Sequence, residues 1–210
     1  GVQFENAHVQ PLCTPTRIQL MTGKYNFRNY IGFGLIAPEE KTFGHIFSDA
    51  GYKTLISGKW QLHSYNPPDE SPEWRSKGQR IEDAGFDEYC VWHAHHTENK
   101  GSRYKDPVIY EKGEYLTDTA GEYGDDIFAD RIIDFVERNK DDEFFVYFPM
   151  ALTHWPFEPT PDSPEFADFE PTPNKTLGEK TWAAMQEGAG NSDTRFYKDM
   201  VEYHDKIIGR

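Results

Sequence analysis

The sequence predicts an α/β fold built on a sheet with parallel strands, and three stretches predict it. Residues 41–50 place Phe43, Ile46, Phe47 and Ala50 at the spacing of one helix face, and a short strand over residues 53–57 follows directly after Gly51. Residues 125–139 repeat the helical pattern through Ile127, Phe128, Ile132, Phe135 and Val136. A near-continuous apolar run over residues 144–150 comes next, and such a run reads as a strand buried on both faces, as a parallel sheet requires. Helix feeding strand, twice, is the alternation of an α/β protein.

In chain order, residues 1–12 read as a short strand or extended lead-in, with Val2, Phe4 and the 9–12 cluster as its apolar residues; His8 reads as a surface or packing histidine. Residues 13–23 read as a helix, because Pro15 suits a first helical turn and Gly23 suits a stop. That helix places Cys13 at its N-terminal end and Arg17 one turn later on the same face. A helix N-terminus offers free N–H groups and the positive end of a dipole, and Arg17 adds a permanent forked cation. A nucleophile set there meets an anionic, oxygen-rich group.

Residues 24–37 are rich in Gly, Asn and aromatics and read as loop. Thr42 is placed to cap the next helix, and Gly51 to stop it. The strand over residues 53–57 opens onto Gly58-Lys59-Trp60-Gln61-Leu62, so Lys59 stands on a loop beyond a strand's carboxyl end, where α/β sheets collect their binding groups. Residues 63–80 are a proline-rich loop, residues 86–92 a strand, and residues 97–124 a polar loop or hairpin. His93, His95 and His96 sit together, but sequential histidines on a polar loop read as a solvated rim and not as a metal site. Asp125 or Asp126 is placed to cap the helix that follows. Asp126 and Asp130, one turn apart, read as capping and surface charge. After the apolar run come Leu152-Thr153-His154-Trp155-Pro156-Phe157 and then a long excursion over residues 158–180, which contains the sequon Asn174-Lys175-Thr176. A last helix spans residues 193–208, with His204 beside its apolar stripe.

A chain of 210 residues supports one substantial core. Its net charge of −14 argues against nucleic acid or an anionic membrane as partner, and no run is long enough for a membrane-spanning helix. Two cysteines, Cys13 and Cys90, are too few for a disulfide framework.

The run Cys13-Thr14-Pro15-Thr16-Arg17 with Thr22-Gly23 resembles the signature of the formylglycine-dependent sulfatases, Cys-x-Pro-x-Arg followed by four residues and Thr-Gly. A thiolate phosphatase loop wants an arginine six residues after the cysteine, where this chain has Gln19. The stretch Gly58-Lys59-Trp60-Gln61-Leu62-His63 is similar to that family's Gly-Lys-Trp-His-Leu-Gly, and His154 followed by Pro156 is similar to its His-x-Pro loop. The departure lies at Gln61, which cannot accept and return a proton as the motif histidine does; His63, two residues on, is a candidate replacement.

The resemblance implies an alkaline-phosphatase-like α/β fold, with a mixed, largely parallel sheet flanked by helices. It implies hydrolysis of a sulfate ester by a formylglycine made from Cys13, with Arg17, Lys59 and His154 around the sulfate and Gln61, His63 and Trp155 near the substrate. In that chemistry one hydroxyl of the hydrated aldehyde attacks sulfur, and deprotonation of the second expels sulfate. The implied cofactor is a divalent cation, usually calcium, to which residue 13 as formylglycine is one ligand. The family's other ligands are an aspartate pair before the signature and an Asp-Asn pair after the last helix, and neither is present here: residues 1–12 contain no Asp. The expectation is therefore part of an N-terminal catalytic domain, lacking its first strand and the segment after residue 210, and inactive as it stands.

The implied partners are a small-molecule or glycan sulfate ester and, in maturation, the formylglycine-generating enzyme; the implied compartment is secreted, periplasmic or lysosomal. A phosphonate or phosphodiester hydrolase of the same superfamily, and a non-catalytic anion-binding relative, remain alternatives.

Overall fold

The structure is a computed structural model and describes residues 3, 5–65, 71–95, 101–171 and 192–210. Five strands form one sheet: β1 (Lys53–Lys59), β2 (Glu88–Trp92), β3 (Ile109–Glu111), β4 (Glu114–Tyr115) and β5 (Phe144–Tyr147), in the order β4-β3-β2-β1-β5. Next to the edge strand β5, β1 runs parallel to both its neighbours, with Ile56 opposite Tyr89 of β2 and Tyr147 of β5. The β3–β4 hairpin extends the sheet antiparallel beyond β2. Among the described residues four α-helices accompany it: α1 (Cys13–Thr22), α2 (Phe43–Asp49), α3 (Gly124–Asn139) and α4 (Tyr197–Ile208).

Strand alternation divides the core in two. On one face Ile56 and Val91 join Ile18 and Met21 of α1, and Phe43, Phe145 and Tyr147 pack against that cluster. On the other face Cys90 and Trp92 join Ile109 and Phe128 of α3, and the Ser57 hydroxyl donates to the Phe128 carbonyl at 2.9 Å. β1 is thus covered on both faces, and its side chains from Thr54 to Lys59 are all buried.

The local signals mostly act where they stand. Gly23 takes φ +65° and its N–H closes α1 on the Gln19 carbonyl. Thr42 caps α2 by accepting from Gly44 N–H. Four expectations need correction. The strand expected over residues 53–57 continues to Lys59, which pairs with Trp92 of β2 and is therefore the last residue of the strand and not part of the loop beyond it. The apolar run over residues 144–150 becomes strand only over Phe144–Tyr147, and it is half-buried at a sheet edge, with Phe144 exposed. Asp125 does not cap α3: the N-cap is Tyr123, with no side-chain bond, and Asp125 is turned into the core. The last helix starts at Tyr197, preceded by a 3-10 turn over Thr194–Phe196 in which Asp193 accepts from Arg195 N–H.

Of the remaining expectations, His8 is exposed, and Asp126 and Asp130 both pair with Arg210. The sequon at residues 174–176 and His96 lie outside the described residues.

Candidate active site

α1 begins at Cys13, and its first turn has neither an acidic residue nor a capping side chain, so the dipole's positive end is not neutralised locally. One turn on, Arg17 is 9% exposed and its Nη2 donates to the Lys59 carbonyl at 2.7 Å. Its Nε and Nη1 are buried with no hydrogen-bond partner. Two buried guanidinium donors left open are costly unless something accepts from them.

The end of β1 is held against the chain leaving β5. Gly58 adopts φ +136°, and a Cβ there would lie 2.4 Å from the Pro149 carbonyl oxygen, so only glycine fits this approach. Lys59 N–H donates to that same oxygen at 2.8 Å. The consequence is a fixed place for the Lys59 side chain, whose Nζ lies 3.7 Å from Cys13 Sγ.

Burial drives the Lys59 pKa down to about 7; Cys13 opposes the shift, and Arg103 and Arg17 deepen it. Burial also works to raise the Cys13 thiol, but the charges of Lys59 and Arg17 and hydrogen bonds from Thr14 outweigh it, and the thiol lies below its ordinary value. Cys90, enclosed in the core, is pushed up by burial to about 12. The two cysteines are chemically unlike because one faces cations and the other faces hydrocarbon.

His154 stands on the loop after β5, and that loop is tied down from beneath. Asp125 Oδ1 accepts from Ala151 N–H at 3.1 Å, and the Tyr104 hydroxyl reaches the carbonyls of Ala151 at 2.9 Å and His154 at 2.5 Å. Burial raises the Asp125 pKa to about 7, against the N–H groups of Ala151 and Leu152 that favour its anion. Arg103 then reaches the ring itself, its Nη1 lying 2.9 Å from His154 Nδ1. The guanidinium is 7% exposed and stacks on Trp92 with Cζ 4.2 Å from the ring centroid. Its charge also acts on Lys59 and on Cys13, so it links His154 to that pair.

The structure therefore gathers Cys13, Arg17 and Lys59 directly and ties in His154 through Arg103. Gln61 is buried beside them in the chain, with φ +47° and its N–H on the His93 carbonyl at 3.1 Å. Trp155 is half-buried next to His154. His63 is engaged elsewhere: its Nδ1 lies 3.0 Å from the Gly78 carbonyl and its ring meets His95 edge-on at 5.3 Å, with burial lowering its pKa. Arg103 and Asp125 carried no sequence signal. Arg103 is one cation in a polar loop, and Asp125 at a helix start looks like any capping acid.

Among the described residues no group of three or more His, Cys, Asp or Glu side chains is placed to hold a metal ion. The charged groups acting on residue 13 are cations, Lys59 and Arg17, and a hard divalent cation asks for carboxylate and carbonyl oxygens. These residues fit an anion and do not by themselves fit a metal.

Comparison with known proteins agrees with that chemistry. The family model described as Sulfatase matches residues 1–210. N-acetylglucosamine-6-O-sulfatase of Bacteroides thetaiotaomicron is 28% identical over 167 residues, which are 77% of this chain and 26% of that protein. The uncharacterized sulfatase YidJ of Escherichia coli is 26% identical, over 100% of this chain and 46% of its own length. Among solved structures, BT4656 in complex with its substrate D-glucosamine-2-N,6-O-disulfate superposes with TM-score 0.54 at 27% identity, covering 73% of this chain and 27% of that one. A Bacteroides thetaiotaomicron structure from glycosaminoglycan metabolism superposes with TM-score 0.61 at 19% identity, covering 95% of this chain and 44% of that one, and shows likeness of fold. The chain spans less than half the length of each of these relatives.

Proposed function

Because this chain belongs to the sulfatase family, we propose that it is the part of a sulfate ester hydrolase that carries the nucleophile and the anion pocket. The observation that supports this best is the pair of buried, unpartnered Arg17 donors beside a lysine 3.7 Å from Cys13. An anion with several oxygens satisfies both donors at once and restores charge balance around Lys59.

In this reading Cys13 is oxidised to formylglycine, whose hydrate supplies a nucleophile and a route for sulfate to leave. The other residues bind and orient. Arg17, braced through Nη2 on the Lys59 carbonyl, offers Nε and Nη1 to two sulfate oxygens. Lys59 places its ammonium on the same group, and the bound dianion or monoester raises its pKa and keeps it charged. His154 contributes a ring donor from the loop beyond β5. Fixed donors aimed where charge develops stabilise the transition state without reorganising. Tyr104 and Asp125 hold the loop that carries His154, and Trp92 fixes the plane of Arg103. The family uses a divalent cation as well, but the described residues do not make its site, and none of these roles depends on it.

A sulfated sugar is the favoured substrate class, supported by the glucosamine disulfate bound in the BT4656 structure. Gln61 in place of the motif histidine favours one second reading, a relative that binds sulfated sugars without turning them over.

The test is mass spectrometry of the tryptic peptide spanning residues 1–17, from protein expressed with the maturation enzyme, followed by assays on sulfate monoesters and phosphate diesters. An aldehyde at position 13 with sulfate ester turnover is the expected result. An unmodified thiol, with the maturation enzyme active on a control, gives the binding reading; turnover of diesters alone gives a phosphodiesterase.

A further inference from the structure

Among the described residues, two groups that make opposite demands lie close to His154 Nδ1. Arg103 Nη1, 2.9 Å away, can only donate, whereas the Trp155 carbonyl oxygen, 2.5 Å away, can only accept. A single ring nitrogen holds either a lone pair or a proton, so it serves one of them at a time. Which one it serves sets the tautomer, and with it what Nε2 offers to a substrate: a donor if Nδ1 accepts, an acceptor if Nδ1 is protonated.

We propose that Arg103 is a positioning residue that fixes His154 as the neutral tautomer with its proton on Nε2, so that the ring meets a bound sulfate as a hydrogen-bond donor. The inference rests on the reading of His154 as a sulfate contact. Three features make Arg103 prevail over the Trp155 carbonyl. The guanidinium is nearly inaccessible to solvent and stacked on the buried Trp92, whose own Nε1 is fixed on the Gly101 carbonyl at 3.1 Å, so it cannot swing out to water. Among the described residues no carboxylate lies within ion-pair distance of it, since Glu158 and Asp125 act on it only through longer-range charge. Its Nη1 donor therefore depends on the imidazole lone pair. Finally, an imidazolium here would place two positive charges at hydrogen-bond distance, beside an Arg103 that already faces the charge of Lys59, while the groups opposing on Arg103 are Glu158, Asp125 and residue 13. The arrangement explains why an arginine is buried where a loop needs no charge: it orients a ring that would otherwise turn its proton inward to its own backbone.

The decisive experiment is nitrogen NMR of the intact protein labelled with 15N-histidine, comparing wild type with Arg103→Met and Arg103→Lys. Wild type is expected to show His154 with a bare Nδ1 and a protonated Nε2. Arg103→Met is expected to move the proton to Nδ1, and Arg103→Lys, which keeps a cationic donor, to restore the wild-type tautomer. In assays of a sulfate ester, Arg103→Met should raise KM about tenfold or more, the scale of one lost bond to a charged acceptor, with a smaller change in kcat and with Arg103→Lys intermediate. A wild-type spectrum with Nδ1 protonated overturns the proposal even if Arg103→Met fails to fold, as does a tautomer that Arg103→Met leaves unchanged. The wild-type tautomer found as expected in a protein without sulfate ester turnover supports the positioning role and overturns the hydrolase reading instead.

Discussion

The two ends of the sheet treat positive charge in opposite ways. At the site, Arg17, Lys59 and Arg103 are each less than 10% exposed, and among the described residues none has a carboxylate within ion-pair distance. Around the start of β2 and the last turns of α3, Arg131 pairs with Glu111 at 2.7 Å and Arg138 with Glu88 and Asp134, each at 2.8 Å, all in contact with water. Those five acids and bases also line an open cleft with Lys112 and Tyr89, and its charges are already matched. The cations that are costly to bury are the ones left without an acid, while those that cost little each have one or two. Unmatched buried charge is what a binding site for an anion requires, and the matched cleft has no comparable demand for a ligand.

The comparison breaks first at the site. Arg17→Met and Lys59→Met should each lower kcat/KM for a sulfate ester by roughly 10²–10³-fold, as loss of a preorganised donor does. Steady-state assays of the matured protein check this, and a loss under threefold would mean the buried cations serve the fold alone. In protein made without the maturation enzyme, iodoacetamide at neutral pH should alkylate Cys13 while Cys90 stays protected until the chain unfolds, since only Cys13 combines partial exposure with a lowered pKa. Peptide mass spectrometry reads the difference.

A smaller effect is expected beneath the His154 loop. Asp125→Ala should cost about 1–3 kcal/mol by leaving the Ala151 N–H buried without an acceptor. The pH dependence has a definite sign. Asp125 keeps its proton up to about 7 in the folded chain but loses it from the ordinary 3.8 when unfolded, so its contribution to stability falls as pH rises across that window. Lys59 acts the other way in the next window, since stability rises with pH between about 7 and 10.5 as the unfolded chain alone stays protonated. Asp125→Asn should flatten the first slope and leave the second, which melting curves from pH 4 to 10 would show. The least effect belongs to the matched end: Arg131→Ala should change stability by less than about 1 kcal/mol and leave turnover unaltered.

What was legible in the sequence was legible because it is local. Cys13, Pro15 and Arg17 lie within one helical turn and a half, so their common face follows from helix geometry alone. Lys59 was placed by a helix, a glycine and a short strand before it, and Thr42 by its position before an apolar stripe. The run over residues 144–150 misled because an apolar stretch records hydrophobicity and not which strands it will lie beside. Asp125 misled because a carboxylate at a helix start has two uses, capping its own helix or reaching a chain that is distant in sequence, and only the docking of the loop after β5 onto α3 selects the second.

The sequence by itself determined the placing of Cys13 at a helix start, the guanidinium one turn away and the lysine at the end of a helix-fed strand, since each is set by contacts within a few residues. Only the tertiary structure decided that Lys59 lies beside Cys13, that Arg17 is left with two buried donors open, and that Arg103 meets His154 across 51 residues of chain. Such pairs depend on how β1, β2 and β5 align at one end of the sheet, and that alignment is fixed by strand register and the closeness of Gly58 to Pro149, neither of which leaves a period or a spacing in the sequence.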